Sequence, residues 1–354
     1  MAQNPLRIAV LCGSDARKEI VWDAHLPAAI GNANTWRALE LAGLPWRRVH
    51  LSPAYFAQPK RWNLARFDAA LNIVTDPDRD PATLCVAQRV VEDAAIPVVN
   101  TPASMWPITR DGVAARLGGI EGLVVPKTLR LKAVTRDELR RRLVESGFRF
   151  PGLLRVAGTQ IGETLRPVQR VRDLEPTCDD PSRSYILAEF VDFQSSDRFY
   201  RKIRFFFVGE RIVIRHRIVS TSWNIHSGSR DGIMTGNAAL AAEEDAFITG
   251  GPEALPPMLQ RALSAVRRSI GLDYFGMDCA LLPSGELVLF EANATMSLIN
   301  YDGALPSSPA QHASCMAIAH ALADLIRARA GDPSFAERRS QPAGSGMQLR
   351  PLSP

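Results

Sequence analysis

A chain of 354 residues, 46% hydrophobic and 22% charged, has ordinary globular composition and the length for two or three packed lobes. Five scattered cysteines without CxxC spacing argue against a disulfide framework or a zinc site. No apolar run approaches the roughly 20 residues of a membrane span, and the N-terminal stretch lacks a signal-peptide h-region, so the reading is a soluble cytoplasmic protein. The net charge of +5 suits an anionic ligand without singling out nucleic acid. In chain order, residues 6–13 (LRIAVLCG) read as a buried strand, followed by a helical stretch ending near 41–43. WRRVHLS and DAALNIV are further strands, a helix spans about 81–95, and PVVN is a short strand ending at Asn100. Strands alternating with helices predict a Rossmann-like parallel α/β domain over 1–100. Thr109 is placed to cap a helix ending at Leu117. VVPKTLRL and FPGLLRVA are strands around a helix at 136–146, giving a small lobe over 101–185. From SYILAEFVDF onward, long strands in hairpins and helices at about 239–248, 257–270 and 310–329 make a larger lobe over 186–330. Residues 331–354 are rich in Pro, Gly, Ser and Arg, a composition expected to be disordered.

Two hairpins carry the chemistry. In FGMDCALLPSGELVLFEAN, a turn at Ser284–Gly285 with symmetric pairing sets residue 281 opposite 288 and Asp278 opposite Glu291. Opposed residues share a face, as do residues two apart on one strand, so Asp278, Glu291 and Asn293 converge. Facing carboxylates repel unless something positive lies between them. Few, hard oxygen ligands suit Mg²⁺, with phosphates filling the other positions. The plainer alternative is a solvated acidic hairpin end; Phe275, Leu289, Phe290 and Ala292 argue for burial instead.

In FYRKIRFFFVGERIVIRHRIV, a turn at Gly209–Glu210 pairs Arg204 with Arg215 and Lys202 with Arg217. One face then carries these four cations. The other carries Ile203, Phe205, Phe207, Ile212, Ile214 and Ile218, with His216 among them as a packed core histidine. A polyphosphate would offset the repulsion between the facing cations. A wet basic face or a nucleic-acid platform is the plainer reading, weakened by the few aromatics interleaved on it.

An acidic hairpin ending in FEANA after an arginine-lined hairpin resembles the ATP-grasp superfamily. The resemblance covers roughly residues 95–300 and is nearest to the bacterial ATP-grasp domains found alone or fused to tetratricopeptide-repeat proteins. It rests on LNIVTDPD (71–78), PVVNTPASMWPITRDGVAARLGGIEGLVVPKTLRL (97–131), FPGLLRVAG (150–158), AEFVDF (188–193), YRKIRFFFVGERI (200–212), SWNIHS (222–227) and GLDYFGMDCALLPSGELVLFEANATM (271–296). There is no GxxxxGK[ST], so the nucleotide site is not a P-loop. The resemblance implies an α/β fold that holds ATP between two lobes, with Mg²⁺, or Mn²⁺ in its place, on Asp278, Glu291 and Asn293. Arg110 and Arg155 match the positions that touch the phosphates, and Gly158 and Thr159 open a glycine flap over them, the Gly158–Gly162 loop. Glu189, Phe190 and Val191 match the adenine-reading hinge, and Asp192 or Asp197 would hold the ribose. Lys202 and Arg204 face the phosphates; Arg204, Arg217 and Asn293 would bear the charge that develops during transfer. Arg215, Trp223, Asn224 and His226 are substrate candidates, in a site bounded by Gly13–Asp15 and Asp76–Asp78.

The implied activity is an ATP-dependent carboxylate–amine ligase working through an acylphosphate on a small molecule or peptide. A kinase acting on a hydroxyl and a non-catalytic nucleotide-binding module are the alternatives. A homodimer fits the resemblance; membrane and nucleic-acid partners do not. Two departures stand out. Gly276 lies where better-known ligases often carry an arginine, and both phosphate lysines are arginines, which keep their charge and favour bidentate contacts.

Overall fold

The computed structural model of the chain describes residues 6–16, 20–23, 26–29, 34–58, 61–159, 162, 164–299, 305–306 and 308–331. The tail expected to be disordered lies, from 332 onward, outside the described residues.

The apolar runs IAVLCG and AALN of the N-terminal domain form strands buried on both faces, as a parallel sheet requires, while the edge strand WRRVHL buries only Val49 and Leu51. The strands are β1 (Ile8–Gly13), then, after a hairpin of β2 (Ile20–Asp23) and β3 (Leu26–Ala29) and helix α1 (Trp36–Leu41), β4 (Trp46–Leu51) and β5 (Ala69–Asn72). Helix α2 (Pro81–Ala94) leads to β6 (Val98–Val99), and the parallel order is β4-β1-β5-β6. The helix expected before Gly43 is thus only six residues long. Ile20-Val21-Trp22, β-branched and aromatic, pairs as a strand instead. Asp15 caps α2, accepting from Ala82 N at 2.9 Å and Thr83 N at 2.7 Å.

Short α3 (Pro102–Met105), α4 (Arg110–Leu117) and β7 (Leu123–Val124) follow. Thr109 caps α4, its Oγ1 accepting from Gly112 N at 3.2 Å. The next lobe contains β8 (Thr128–Lys132), α5 (Arg136–Ser146), β9 (Gly152–Val156), β10 (Arg166–Val168) and β11 (Ser184–Glu189). Its antiparallel order is β10-β9-β11-β8, with Leu139 and Leu143 of α5 packed on Leu131, Leu154 and Leu187. The boundary expected at 185 falls inside β11, which pairs with β9 and β8. Residues from Met105 to Leu123 also change sides. They pack into the core of the larger lobe with Phe205, Leu259 and Phe275.

That larger lobe holds β12 (Tyr200–Val208), β13 (Arg211–Ser220), α6 (Arg230–Ile233), α7 (Ala238–Gly250), α8 (Pro257–Ile270), β14 (Tyr274–Leu281), β15 (Leu287–Asn293) and α9 (Pro309–Ala330). Its sheet runs β13-β12-β14-β15-β7. Phe205 and Phe207 alternate with Phe206 and Val208, and each pair enters a different core. The first meets α8, with Phe207 stacked on Phe275 at 4.4 Å; the second meets α9. Helix α9 also packs on the N-terminal sheet, so Ile8, Val10 and Leu71 share a core with Ile318 and Leu322. Among the described residues no helix is long and apolar enough to cross a membrane.

Candidate functional site

The two long hairpins start from tight turns. Gly209, at φ +55°, takes the first place of a two-residue loop, where a positive φ is needed. Gly285, at φ +87°, donates to Leu282 O and closes a three-residue loop. Each hairpin then carries a one-residue bulge. In β12–β13 the pairing runs Phe205 with Ile214, then Arg204 with His216, leaving Arg215 as the extra residue. In β14–β15 it runs Leu281 with Leu287 and Cys279 with Leu289, then Asp278 with Glu291, leaving Phe290 extra. Arg204 is also directly opposite Asp278. One rung therefore crosses four strands: His216, Arg204, Asp278 and Glu291.

The bulges decide which residues share this rung. A bulge sets two residues of one strand against one of its partner. Arg215 and His216 both face the side of Arg204, which corrects the assignment of His216 to the apolar face. Arg217, expected beside Lys202, is turned away. It sits opposite Ile203, pairs with Glu243, and stacks over Phe247 at 4.5 Å. Ile218 takes its place across from Lys202. In the second hairpin the loop starts one residue out of the expected register, with 281 opposite 287. The bulge at Phe290 brings Asp278 and Glu291 face to face.

The charge needed between these acids comes from neighbouring elements. Arg204 grips Asp278 through Nε and Nη2 at 2.6 and 2.8 Å, and Lys202 Nζ lies 3.2 Å away. Arg110, at the first position of α4, reaches Glu291 at 2.5 Å. Burial pushes Asp278 up; Arg204 and Lys202 overcome it, and the carboxyl lies well below the usual range. Glu291 is lowered too, with burial opposed by Arg110. Both are ionised at neutral pH.

The rung forms one wall of a cavity of about 1030 Å³. The small lobe supplies the opposite wall: Arg155 on β9, Gly158 and Thr159 after it, and the segment Glu189-Phe190-Val191 at the end of β11. Arg155 Nη2 donates to Thr159 O, and Gly158 (φ +74°) lies so close to Asp78 that a Cβ would sit 3.1 Å from its carbonyl. Gly162 faces His226 in the same way; residues 160, 161 and 163 lie outside the described ones. The Glu189 carboxylate accepts from Arg149 N at 2.7 Å, and Phe190 meets Trp223 edge-on at 5.5 Å. Asp76, Asp78, Trp223, Asn224 and His226 line the cavity, as do Arg110, Lys202, Arg204, Arg215 and Asn293.

Four expectations fail on placement, the first being Arg217, which lies outside the cavity lining on the opposite face and so cannot bear the charge of transfer. Asp197 is not in the cavity lining; its carboxylate forms a fork with Arg201 at 2.9 and 2.6 Å. Asp192 is likewise outside, accepting from Gln194 N. Gly13–Asp15 is occupied in capping α2, with Ser14 Oγ on Asp80 at 2.8 Å. Besides His216, sequence reasoning passed over Arg130. It joins three segments, binding Asp78 at 2.7 and 2.9 Å, Asp111 at 2.9 and 2.6 Å, and Ser184 Oγ at 3.1 Å. The place of Arg130 between Leu129 and Leu131 was a weak signal for a paired arginine, without naming its partners.

Asp278, Glu291 and Asn293 offer a small, hard donor set. Asn293 Oδ1 accepts from Thr295 N at 2.9 Å and keeps a second lone pair. Among the described residues no three His, Cys, Asp or Glu side chains cluster as a complete metal cage. Two carboxylates and an amide fit a cation such as Mg²⁺ that keeps waters or phosphates as its other ligands.

No family model and no curated protein matches the chain. Solved structures match it over nearly its whole length. The VanG D-Ala:D-Ser ligase from Enterococcus faecalis has a TM-score of 0.56 at 13% identity, covering 91% of this chain and 100% of that one. The D-alanine–D-alanine ligase from Coxiella burnetii also has a TM-score of 0.56 at 13% identity, over 94% and 98%. The ATP-grasp ligase PsnB, complexed with precursor peptide PsnA2 and AMPPNP, has a TM-score of 0.50 at 15% identity, over 90% and 98%. The parallel N-terminal domain, followed by two lobes facing each other across one cavity, is the ATP-grasp fold.

Proposed function

We propose that the chain is an ATP-dependent ligase joining a carboxylate to an amine through an acylphosphate. The observation that carries this reading is the Asp278–Glu291 pair, opposed on one rung and facing a cavity ringed by Arg110, Arg155, Lys202 and Arg204. The neighbouring folds support it, being ligases by name, one of them complexed with AMPPNP. Asp278, Glu291 and Asn293 would hold Mg²⁺, or Mn²⁺, which neutralises phosphate charge when bound.

In this reading the backbone of Glu189–Val191 meets the adenine edge and Phe190 covers its face. Gly158 and Thr159 close over the phosphates. Arg110 and Arg204, paired with the carboxylates here, are the cations that phosphate oxygens would recruit. A substrate carboxylate oxygen attacks the γ-phosphorus, the bond to the bridging oxygen breaks, and ADP leaves. The amine then attacks the acyl carbon; phosphate departs and the amine loses its proton. Positioning and fixed charge supply most of the acceleration in such transfers, and no protein nucleophile is needed. His226, against Gly162, remains the substrate candidate, whereas Trp223, against Phe190, falls at the adenine end. The narrower likeness, to bacterial domains found alone or fused to tetratricopeptide repeats, and a cytoplasmic setting belong to the same proposal.

One observation favours a kinase as the second reading. Gly276, next to the rung, packs so tightly on Met296 that a Cβ would lie 2.6 Å from Sδ, so this position offers no cation for a tetrahedral intermediate. Product analysis separates the two. With ATP, an acid substrate and hydroxylamine, a ligase forms a hydroxamate. A screen over amino acids and small peptides that yields a phosphorylated alcohol and no hydroxamate overturns the ligase reading.

A further inference from the structure

Behind the rung, the cavity continues past Arg204 to the bulge of β13. Arg215 and His216 both point into it and are only 7% and 9% exposed. Arg215 Nε donates to Leu298 O at 2.7 Å, and the Leu298 segment is itself tied to Asn34 of the N-terminal domain. That bond fixes the direction of the guanidinium. Its Nη1 is nevertheless buried with no hydrogen-bond partner among the described residues, and so is His216 Nε2. Glu244, whose field reaches Arg215, is already taken by Arg230 and Gln311. Arg204 is committed to Asp278. Among the described residues, two buried nitrogens on neighbouring residues are thus left unsatisfied beside a cation with no carboxylate of its own, an arrangement that is costly unless a ligand completes it.

We infer that Arg215 and His216 form a second anion site, which holds a substrate carboxylate distinct from the one that is activated. The distinction between the two carboxylates rests on the ligase reading; the anion site itself does not. Burial, with Arg204 and Arg215 adding to it, keeps His216 neutral. The pair therefore carries one net positive charge, a match for a single carboxylate rather than a polyphosphate. His216 is two strands from Asp278, ~10 Å at the usual strand spacing, which suits the two ends of a short molecule. The substrate class is then a diacid: an acidic amino acid, a short dicarboxylate, or a peptide whose C-terminus occupies this site.

The test is calorimetry on the full chain with Mg–ADP present. The titrants are dicarboxylates of three to six carbons, aspartate, glutamate, dipeptides, and the corresponding mono-amides. At least one diacid should bind ten times or more tighter than its mono-amide, and the arm that binds identifies the source of the carboxylate. Arg215→Met and His216→Phe should each remove most of that preference and leave ADP affinity unchanged. Arg215→Lys and His216→Gln, which keep a donor, should retain part of it and serve where the larger changes fail to fold, as judged by melting temperature. Equal affinity for diacid and mono-amide, binding by no member of the series, or an undiminished preference in the variants overturns the proposal. A wild-type chain that prefers the diacid yet fails to bind ADP would leave the anion site standing and remove the nucleotide reading.

Discussion

The two bulged strands, β13 and β15, flank the same rung from opposite sides, and they use the extra residue differently. In β15 the bulge lies between the loop and the acids, and it sets Glu291 against Asp278 with Phe290 beside it. In β13 it turns Arg215 and His216 toward the cavity and sends Arg217 to α7. Because side chains alternate with a period of two, one extra residue reverses the face of everything beyond it. The β15 side of the rung consequently gathers ionised carboxylate oxygens, and the β13 side gathers buried side-chain nitrogens. Between them stand Arg204 and Asp278, on the unbulged central strands β12 and β14. Under the proposed function, a cavity with acids at one end and buried nitrogens at the other would orient a ligand that carries a metal-bound phosphate and a separate anion.

The sharpest way to break this contrast is to remove the charge at its centre. Asp278→Asn leaves Arg204 and Lys202 without their shared carboxylate. Loss of one partner of a buried pair costs about 3–5 kcal/mol, so the melting midpoint in denaturant should fall steeply. Glu291→Gln leaves only Arg110, which is partly exposed, and should cost much less stability while abolishing Mg-dependent turnover as completely. Retained turnover in both variants would end the assignment of these acids to the metal.

The next contrast is between the two arginines that the bulge separates. Arg204→Ala should weaken ADP or AMPPNP binding by about 1.5–3 kcal/mol, the range for hydrogen bonds to charged groups. Arg217→Ala should leave that affinity unchanged, since its guanidinium is held by Glu243 and Phe247 on the other face. Calorimetry showing equal losses would place both on the phosphate side and contradict the register described above.

Outside the rung, Arg130 provides a comparison in which acids are paired by an arginine from another segment. Burial raises Asp111, but hydrogen bonds from Arg130 and Thr109 overcome this and hold its pKa below the ordinary 3.8. Its contribution is complete above that value and is lost as pH falls through the lowered folded value. Thermal melts of the wild type and Arg130→Met should therefore differ above about pH 4 and converge in stronger acid. A constant difference at every pH would show that Arg130 acts by packing alone.

The smallest expected effect is at Asp197, which faces Arg201 rather than the cavity and is 45% exposed. Asp197→Ala should cost about 0.2–1 kcal/mol of stability, as exposed pairs do, with no change in nucleotide affinity. A loss of nucleotide binding would return it to the ribose.

Much of this architecture could be read from local pattern. Apolar runs marked β1 and β5, a Thr cap marked α4, and alternation in IRFFFV separated the Ile203–Phe205–Phe207 face from that of Arg204. Convergence of Asp278, Glu291 and Asn293 was legible because the acids stand at residue spacings that symmetric pairing brings together. The loop register behind that inference was one residue off, and the bulge at Phe290 compensated for it. A change in the apolar parity of β15, from Leu287 and Leu289 to Ala292 and Ala294, was the trace of that bulge, made faint by the small size of alanine. In β13 the corresponding signal was hidden by three consecutive polar residues, Arg215, His216 and Arg217, any of which could face either way.

What the sequence by itself determined, therefore, was most of the elements beyond the β2–β3 hairpin, the two long hairpins and the residue types at their ends, because propensity, periodicity and turn chemistry act over a few residues. Only the tertiary structure decided the partners: Arg204 for Asp278, Arg110 for Glu291, Arg130 for Asp78 and Asp111, and Arg201 for Asp197. It also decided which of three adjacent polar residues on β13 entered the cavity. Those outcomes depend on a one-residue slip in strand pairing and on contacts between segments as many as 181 positions apart, such as Arg110 and Glu291, where local preference carries no information.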